Sequence, residues 1–215
     1  MLKVFVFSVT LTLAFAGLPF APPALAASVQ TPTPAETFVA GNIQKGLAIL
    51  NTKQLSIVQR QAQFQTFLLG LTDMTRIADF ALGQYRRDAS PADLAVFESV
   101  FQDYAVAVYQ SYLAKYAGQK LNVTGSTERA PDDFIVRTNL TDPGDHSGQP
   151  PQEVDFRVRT ETGRPIVLDF SFAGISLASM ERDQFTTFLG QNSSSIPKLS
   201  LQLSALTNSI ERRSR

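Results

Sequence analysis

Residues 90–118 read SPADLAVFESVFQDYAVAVYQSYLAKYAG. The spacing predicts one long, bounded helix. Ser90 suits the N-cap, Pro91 the first helical position, and Asp93 the place of a capping-box acid. Gly118 is a natural stop. The 27 residues between the caps would span about 40 Å at roughly 1.5 Å per residue. Leu94, Phe97, Phe101, Tyr104, Val108 and Tyr112 recur at three- and four-residue steps, which makes one face apolar. Tyr104, Tyr109, Tyr112 and Tyr116 are four of the five tyrosines in the chain. An aromatic stripe of this kind either packs a solid core or walls a cavity for something greasy. The helix alone leaves both readings open.

Downstream of Gly118 the hydrophobic period changes from about 3.6 to 2. Leu121–Thr127 alternates, and Phe134–Leu140 puts Phe134, Val136, Thr138 and Leu140 on one side. Val154–Thr160 places Val154, Phe156 and Val158 opposite Asp155, Arg157 and Arg159. Pro165–Ala173 places Ile166, Leu168, Phe170 and Phe172 opposite Val167, Asp169 and Ser171. Four such segments describe an antiparallel sheet with one greasy and one wet face. Glu161–Arg164 is a tight hairpin turn between the last two strands, and Asp142–Gln152 is a longer polar loop.

Upstream, helices are predicted over Thr37–Asn51, Lys53–Leu71 and Met74–Gly83, the last capped by Asp73. Two more close the chain, one from Ser176 and one over Ile196–Ile210, parted by a turn at Asn192–Ser195. The order predicts an α+β fold: helices packed on one face of a four-stranded antiparallel sheet, enclosing an apolar pocket, with the long helix lying across the greasy face.

At 215 residues with 44% hydrophobic composition, the chain supports one ordinary core without staples. Cysteine is absent, which removes disulfides, thiolate metal sites and cysteine nucleophiles together. The formal net charge is zero, without the basic balance that nucleic-acid binding brings. Met1–Lys3, the apolar run Val4–Phe20, Pro22–Pro23 and Ala24–Leu25–Ala26 make the three-part layout of a secretory signal peptide. Residues 1–26 are read as that signal, cleaved near Ala26–Ala27, residues 27–36 as a flexible lead-in, and 37–210 as a single domain. The mature chain would carry 18 basic and 19 acidic residues, and a soluble, cysteine-free exported protein suits a bacterial periplasm.

Chemistry is sparse. The single histidine, His146, lies in the Pro/Gly-rich loop. Neither a Gly-x-Ser-x-Gly elbow nor a phosphate loop is present. Asp142, Asp145 and Glu153 crowd together in sequence but lack EF-hand spacing. No catalytic residue, metal site or cofactor is predicted. The basic pairs Arg86–Arg87 and Arg157/Arg159 read as a solvated surface or as a docking rim.

Asp79–Arg87 (DFALGQYRR), then Ala89–Ser90–Pro91 and Phe97, resemble the core of the MlaC-type toluene-tolerance family. So do Leu168–Asp169, Gly174–Leu177 and Arg182–Phe185 toward the end. Together they cover about Thr75 to Leu206 in the family's order and spacing. The resemblance implies a periplasmic carrier that passes phospholipid between an inner-membrane ABC transporter complex, through its lipid-binding subunit, and an outer-membrane lipoprotein complex. A branch associated with hopanoid lipids is also compatible. It further implies helices around an antiparallel sheet with acyl chains between them. Arg86 stands where many members carry tryptophan, and Arg164–Pro165 where a Trp-Lys pair often opens the last strand.

A carrier needs apolar walls and no catalytic group, because withdrawing acyl surface from water is itself strongly favourable, at about 25 cal/mol per Å². The walls expected for the lipid are Phe80, Phe97, Phe101, Tyr104, Val108, Phe134, Phe156, Phe170 and Phe172, with Phe97, Phe101 and Tyr104 nearest it. Two other readings stand beside this one. A small enzyme of cone-shaped α+β fold would want a buried acid such as Asp169. A periplasmic adaptor would have a solid core.

Overall fold

The computed structural model describes residues 31–52, 54–113, 118–161 and 163–213, with the side chains of Tyr112 and Leu113 left aside. The signal-peptide reading of residues 1–26, most of the lead-in, and the end of the long helix at 114–117 with Tyr116 lie outside the described residues. Residues from Pro32 onward form one compact unit.

Each helix begins where the sequence supplies a cap. α1 (Pro34–Asn51) starts earlier than the lead-in reading allows, because Thr33 and Glu36 form a capping box and Pro34 fits the first turn. Thr33 Oγ1 accepts from the Glu36 amide at 3.1 Å, and the Glu36 carboxylate accepts from the Thr33 amide at 3.0 Å. α2 (Ile57–Leu71) starts at the Ser56–Gln59 box, so Gln54 and Leu55 of the expected helix precede it. α3 (Met74–Leu82) is capped by Asp73 and stopped by Gly83, whose φ of 56° and ψ of −127° lie in a region open to glycine. A 3-10 turn over Gly83–Asp88 leads to α4 (Pro91–Leu113). There Ser90 Oγ accepts from the Asp93 amide at 3.1 Å and donates to the Asp93 carboxylate at 2.8 Å.

The sheet is a meander. β1 (Lys120–Ala130), β2 (Asp133–Thr141), β3 (Gln152–Arg159), β4 (Ile166–Phe172) and the two-residue β5 (Ile175–Ser176) lie in sequence order, every neighbour antiparallel. The fifth strand is a small addition to the four expected. α5 (Leu177–Gln191) and α6 (Ile196–Arg213) complete the chain. No helix among the described residues is long and apolar enough to cross a membrane.

Alternation holds on β2 and β3, where Val136, Thr138, Phe156 and Val158 are buried on one face. On β4 it fails. A bulge between Arg157 and Val158 pairs Val158 with Val167 and leaves Leu168 unpaired. Val167, expected on the wet face, is therefore 1% exposed, because one extra residue reverses the facing of everything before it.

Two cores result. α1 lies on the sheet, and Val39, Ile43, Leu71, Val136, Phe156 and Val167 fill the space between them. α2 to α6 enclose a second core around Phe97, Phe101, Phe185, Leu189, Leu199 and Leu203. Burying each such side chain stabilises the fold by about 1.5–3 kcal/mol. The long helix therefore does not lie across the sheet as the sequence suggests. It belongs to the helical core and reaches the sheet through Tyr109, whose ring sits 5.4 Å from that of Phe170.

The two stretches that carry the family resemblance pack against each other. Arg182 covers the Phe80 ring at 4.9 Å. A Cβ at Gly83 would come within 3.1 Å of Arg182 Nε, and one at Gly190 within 3.3 Å of the Tyr85 hydroxyl. They form the joint that docks α3 and its 3-10 turn on α5.

Candidate functional site

Because the two cores do not close on each other, space is left where they meet. An interlayer cavity of about 300 Å³ lies between α1, α2 and strands β3 and β4. Of its lining side chains, only Asn42, Tyr109 and Ser171 carry a polar atom. Asn42 turns its amide to the Phe38 carbonyl at 2.8 Å. Phe67, Leu68, Leu71, Phe156 and Val167 make up much of the wall, and Phe172, 44% exposed, stands at its rim. Gly46 keeps the wall flush, since a Cβ there would meet the Phe67 ring at 3.3 Å.

A second, edge cavity of about 280 Å³ lies beside the outer end of β4, among α3, α4 and the start of α5. Tyr109, Phe170 and Leu177 line both spaces, so these three side chains form the partition. Phe170 holds this position through its contacts, with ring centroids 5.1 Å from Phe156 and 5.4 Å from Tyr109.

The edge cavity is mixed in character. Tyr104 donates to Glu181 Oε1 at 3.0 Å, while Glu181 Oε2 is buried without a hydrogen-bond partner. Burial pushes the Glu181 carboxyl above its ordinary range, and the Tyr104 hydrogen bond pulls the other way. Asp169 borders the same space. Its register partner is Arg157, on the face opposite Phe170, as alternation predicts. Its carboxylate accepts from the Ser176 hydroxyl at 2.5 Å and the Ala178 amide at 3.0 Å. Asp169 thus fastens β4 to the start of α5.

Of the nine aromatic and aliphatic residues expected at the pocket, Phe101, Tyr104 and Val108 line the edge cavity, Phe156 and Phe172 the interlayer cavity, and Phe170 both. Phe97, Phe80 and Phe134 line neither. Phe97 is fully buried, its ring 5.9 Å from Phe101 and 6.1 Å from Phe185. It is solid core because α5 closes that side of α4. Phe80 is 39% exposed under Arg182. Phe134 is half-buried against the α1 side of the sheet. The expectation passed over the walls from α1 and α2, although Ile43, Leu47 and Leu50 share one helical face. It also passed over Glu181, for which no spacing rule gave a signal.

The wet sheet face carries a polar cluster that lines neither cavity. Asp133, 4% exposed, accepts from Arg157 at 2.8 and 3.0 Å, and Arg159 approaches at 3.7 Å. The Arg157 hydrogen bonds hold the Asp133 carboxyl below its ordinary range, against the opposing effect of burial. Arg159 and Arg76 both pair with Glu161. These basic side chains have acidic partners, as the surface reading expects.

The family model described as MlaC protein matches residues 41–205. Among solved structures, the fold is similar to that of the phospholipid-binding protein from Ralstonia solanacearum, determined in complex with a phospholipid. The TM-score is 0.71 at 19% sequence identity, over 82% of this chain and 98% of that one. At that identity the likeness concerns the fold.

Proposed function

The chain belongs to the MlaC family, and on that premise we propose that it is a periplasmic lipid carrier whose interlayer cavity holds the acyl chains of a phospholipid. The observation that carries this reading is the composition of that cavity. It is a space of about 300 Å³ whose described walls bear no charged side chain, at the lower end of the roughly 300–1,000 Å³ usual for ligand sites. An acyl methylene moved there from water gains about 0.8 kcal/mol. A phospholipid is also what the similar Ralstonia protein holds.

In this reading residues 1–26 direct export and are removed, and the lipid-binding domain, expected over 37–210, begins with the cap of α1 at Thr33. The carrier exchanges its lipid with an ABC transporter complex of the inner membrane and a lipoprotein complex of the outer membrane. Phe101, Tyr104, Val108, Phe156, Phe170 and Phe172 contact the chains. A chain that extends past Tyr109, Phe170 and Leu177 enters the edge cavity. Phe80, Phe97 and Phe134 act through packing.

The test is to purify the mature protein from its native host, extract it with organic solvent and analyse the extract by mass spectrometry. Stoichiometric phospholipid is expected. Protein that is lipid-free, and that also takes up no lipid from vesicles, would overturn the proposal.

A further inference from the structure

Apart from the cavities just described, an open hollow of about 820 Å³ lies beneath the polar loop that joins β2 to β3. It shares Leu47, Leu50 and Leu121 with the interlayer cavity. A chain lying in the interlayer cavity therefore has two exits for its polar end. One passes Leu47, Leu50 and Leu121 into the hollow; the other passes Tyr109, Phe170 and Leu177 into the edge cavity.

Among the described lining residues, both exits carry charge of one sign. The hollow is lined by Asp142 and Asp145, and the edge cavity by Asp169 and Glu181. No lysine, arginine or histidine is among the described lining residues of any of the three spaces. Arg60 lies near the hollow, but its Nη1 donates to the Leu50 carbonyl at 3.2 Å, and it does not line the hollow.

The carboxylates are held in place. Asp142 accepts from the Gly144 amide at 2.8 Å and from the Gln119 amide group at 3.0 Å. Asp145 accepts from the Ser147 amide at 2.8 Å. Glu181 keeps one buried oxygen without a partner.

From this distribution we infer that the site selects phospholipids whose head group carries an ammonium over phospholipids of net negative charge. The inference rests on the lipid-carrier reading and adds the head-group class to it. A phosphodiester alone meets no cationic side chain among the described lining residues of either exit and is repelled by the carboxylates. An ammonium attached to it finds acceptors at both, in Asp142 and Asp145 or in Glu181. The attraction is strongest at the enclosed end, where less water screens it, and is weakened by salt at the open one.

The experiment incubates lipid-free protein with vesicles of equal parts phosphatidylethanolamine and phosphatidylglycerol, re-isolates the protein and quantifies both lipids. The bound ratio is expected to favour phosphatidylethanolamine by at least about threefold, the factor that one screened charge contact supplies. Glu181→Gln and the double variant Asp142→Asn/Asp145→Asn, each shown to be folded by a cooperative melting transition above the assay temperature, are expected to bring the ratio toward that of the vesicles. A bound ratio equal to the vesicle ratio, or enriched in phosphatidylglycerol, overturns the inference and leaves the carrier reading standing. A wild-type preference that neither variant alters overturns it as well. Absence of any bound lipid overturns the carrier reading and the inference with it.

Discussion

Replacing Phe170 by alanine removes the partition between the two cavities. A fully buried Phe→Ala change costs about 3–5 kcal/mol, of which a large part is the void left behind. Phe170 is only half-buried, which lowers that figure. Its ring also contacts Phe156 at 5.1 Å and Tyr109 at 5.4 Å, and such pairs contribute about 0.5–1.5 kcal/mol each beyond burial. The lipid-free variant should therefore lose about 2–4 kcal/mol. For a protein of this size, each kcal/mol corresponds to about 2–4 °C in Tm, so a fall of about 5–15 °C is expected. Loaded protein should behave differently. An acyl chain can occupy the space the ring vacates, and three or four methylenes at about 0.8 kcal/mol each would offset most of the loss. Calorimetry on delipidated and vesicle-loaded samples of both proteins measures the four melting temperatures. The reasoning fails if the lipid-free variant loses less than about 1 kcal/mol, a change smaller than the ring contacts alone imply. It also fails if the loss is as large in loaded protein as in lipid-free protein, since the vacated space would then not be open to the ligand.

Glu181→Gln should change how stability depends on pH. The folded-state pKa is raised, so the folded protein holds this proton more tightly than the unfolded chain. Wild-type stability is greatest on this account below about pH 4.3, the unfolded value, and declines as pH rises through the raised one. Melting curves at pH 4 and pH 8 should show the variant gaining on wild type at the higher pH; an equal difference at both would refute this. Asp133→Asn has the opposite sign. Its folded pKa is lowered, so its contribution is present above about pH 3.9 and is lost as pH falls through the lower folded value. With Arg157 a third exposed, a loss of about 1–2 kcal/mol at pH 7 is expected, and urea titrations should show the gap narrowing toward pH 3. Gly83→Ala places a side chain at φ 56° and within 3.1 Å of Arg182 Nε. It should cost about 1–3 kcal/mol, read as a lower urea midpoint with unchanged slope, and wild-type stability in the variant would count against the joint described between α3 and α5.

Local chemistry was enough to locate most elements. Ser90 and Asp73 mark helix starts because capping depends on residues within a few positions of one another. The period-2 runs mark β2 and β3 because alternation is also local. For the same reason Phe156 and Phe170 could be assigned to the greasy face. The starts of α1 and α2 are set by the caps Thr33 and Ser56, not by where the hydrophobic spacing begins.

The Leu168 bulge, the placement of α1 rather than α4 on the sheet, and the division of the aromatic stripe were decided by tertiary structure. Phe97 and Phe101 lie one helical turn apart and look equivalent in sequence. Both rings meet Phe185 at 6.1 Å, yet only Phe101 also borders a cavity, because α5 covers only part of α4. Glu181 shows the same limit. In sequence it is an ordinary helical acid, and its buried oxygen exists only because Tyr104, 77 residues away in the chain, brings it against the edge cavity. Periodicity tells which side chains leave water. Whether they meet other side chains or leave a space depends on the volumes of elements distant in sequence, and those volumes are settled only when the layers pack.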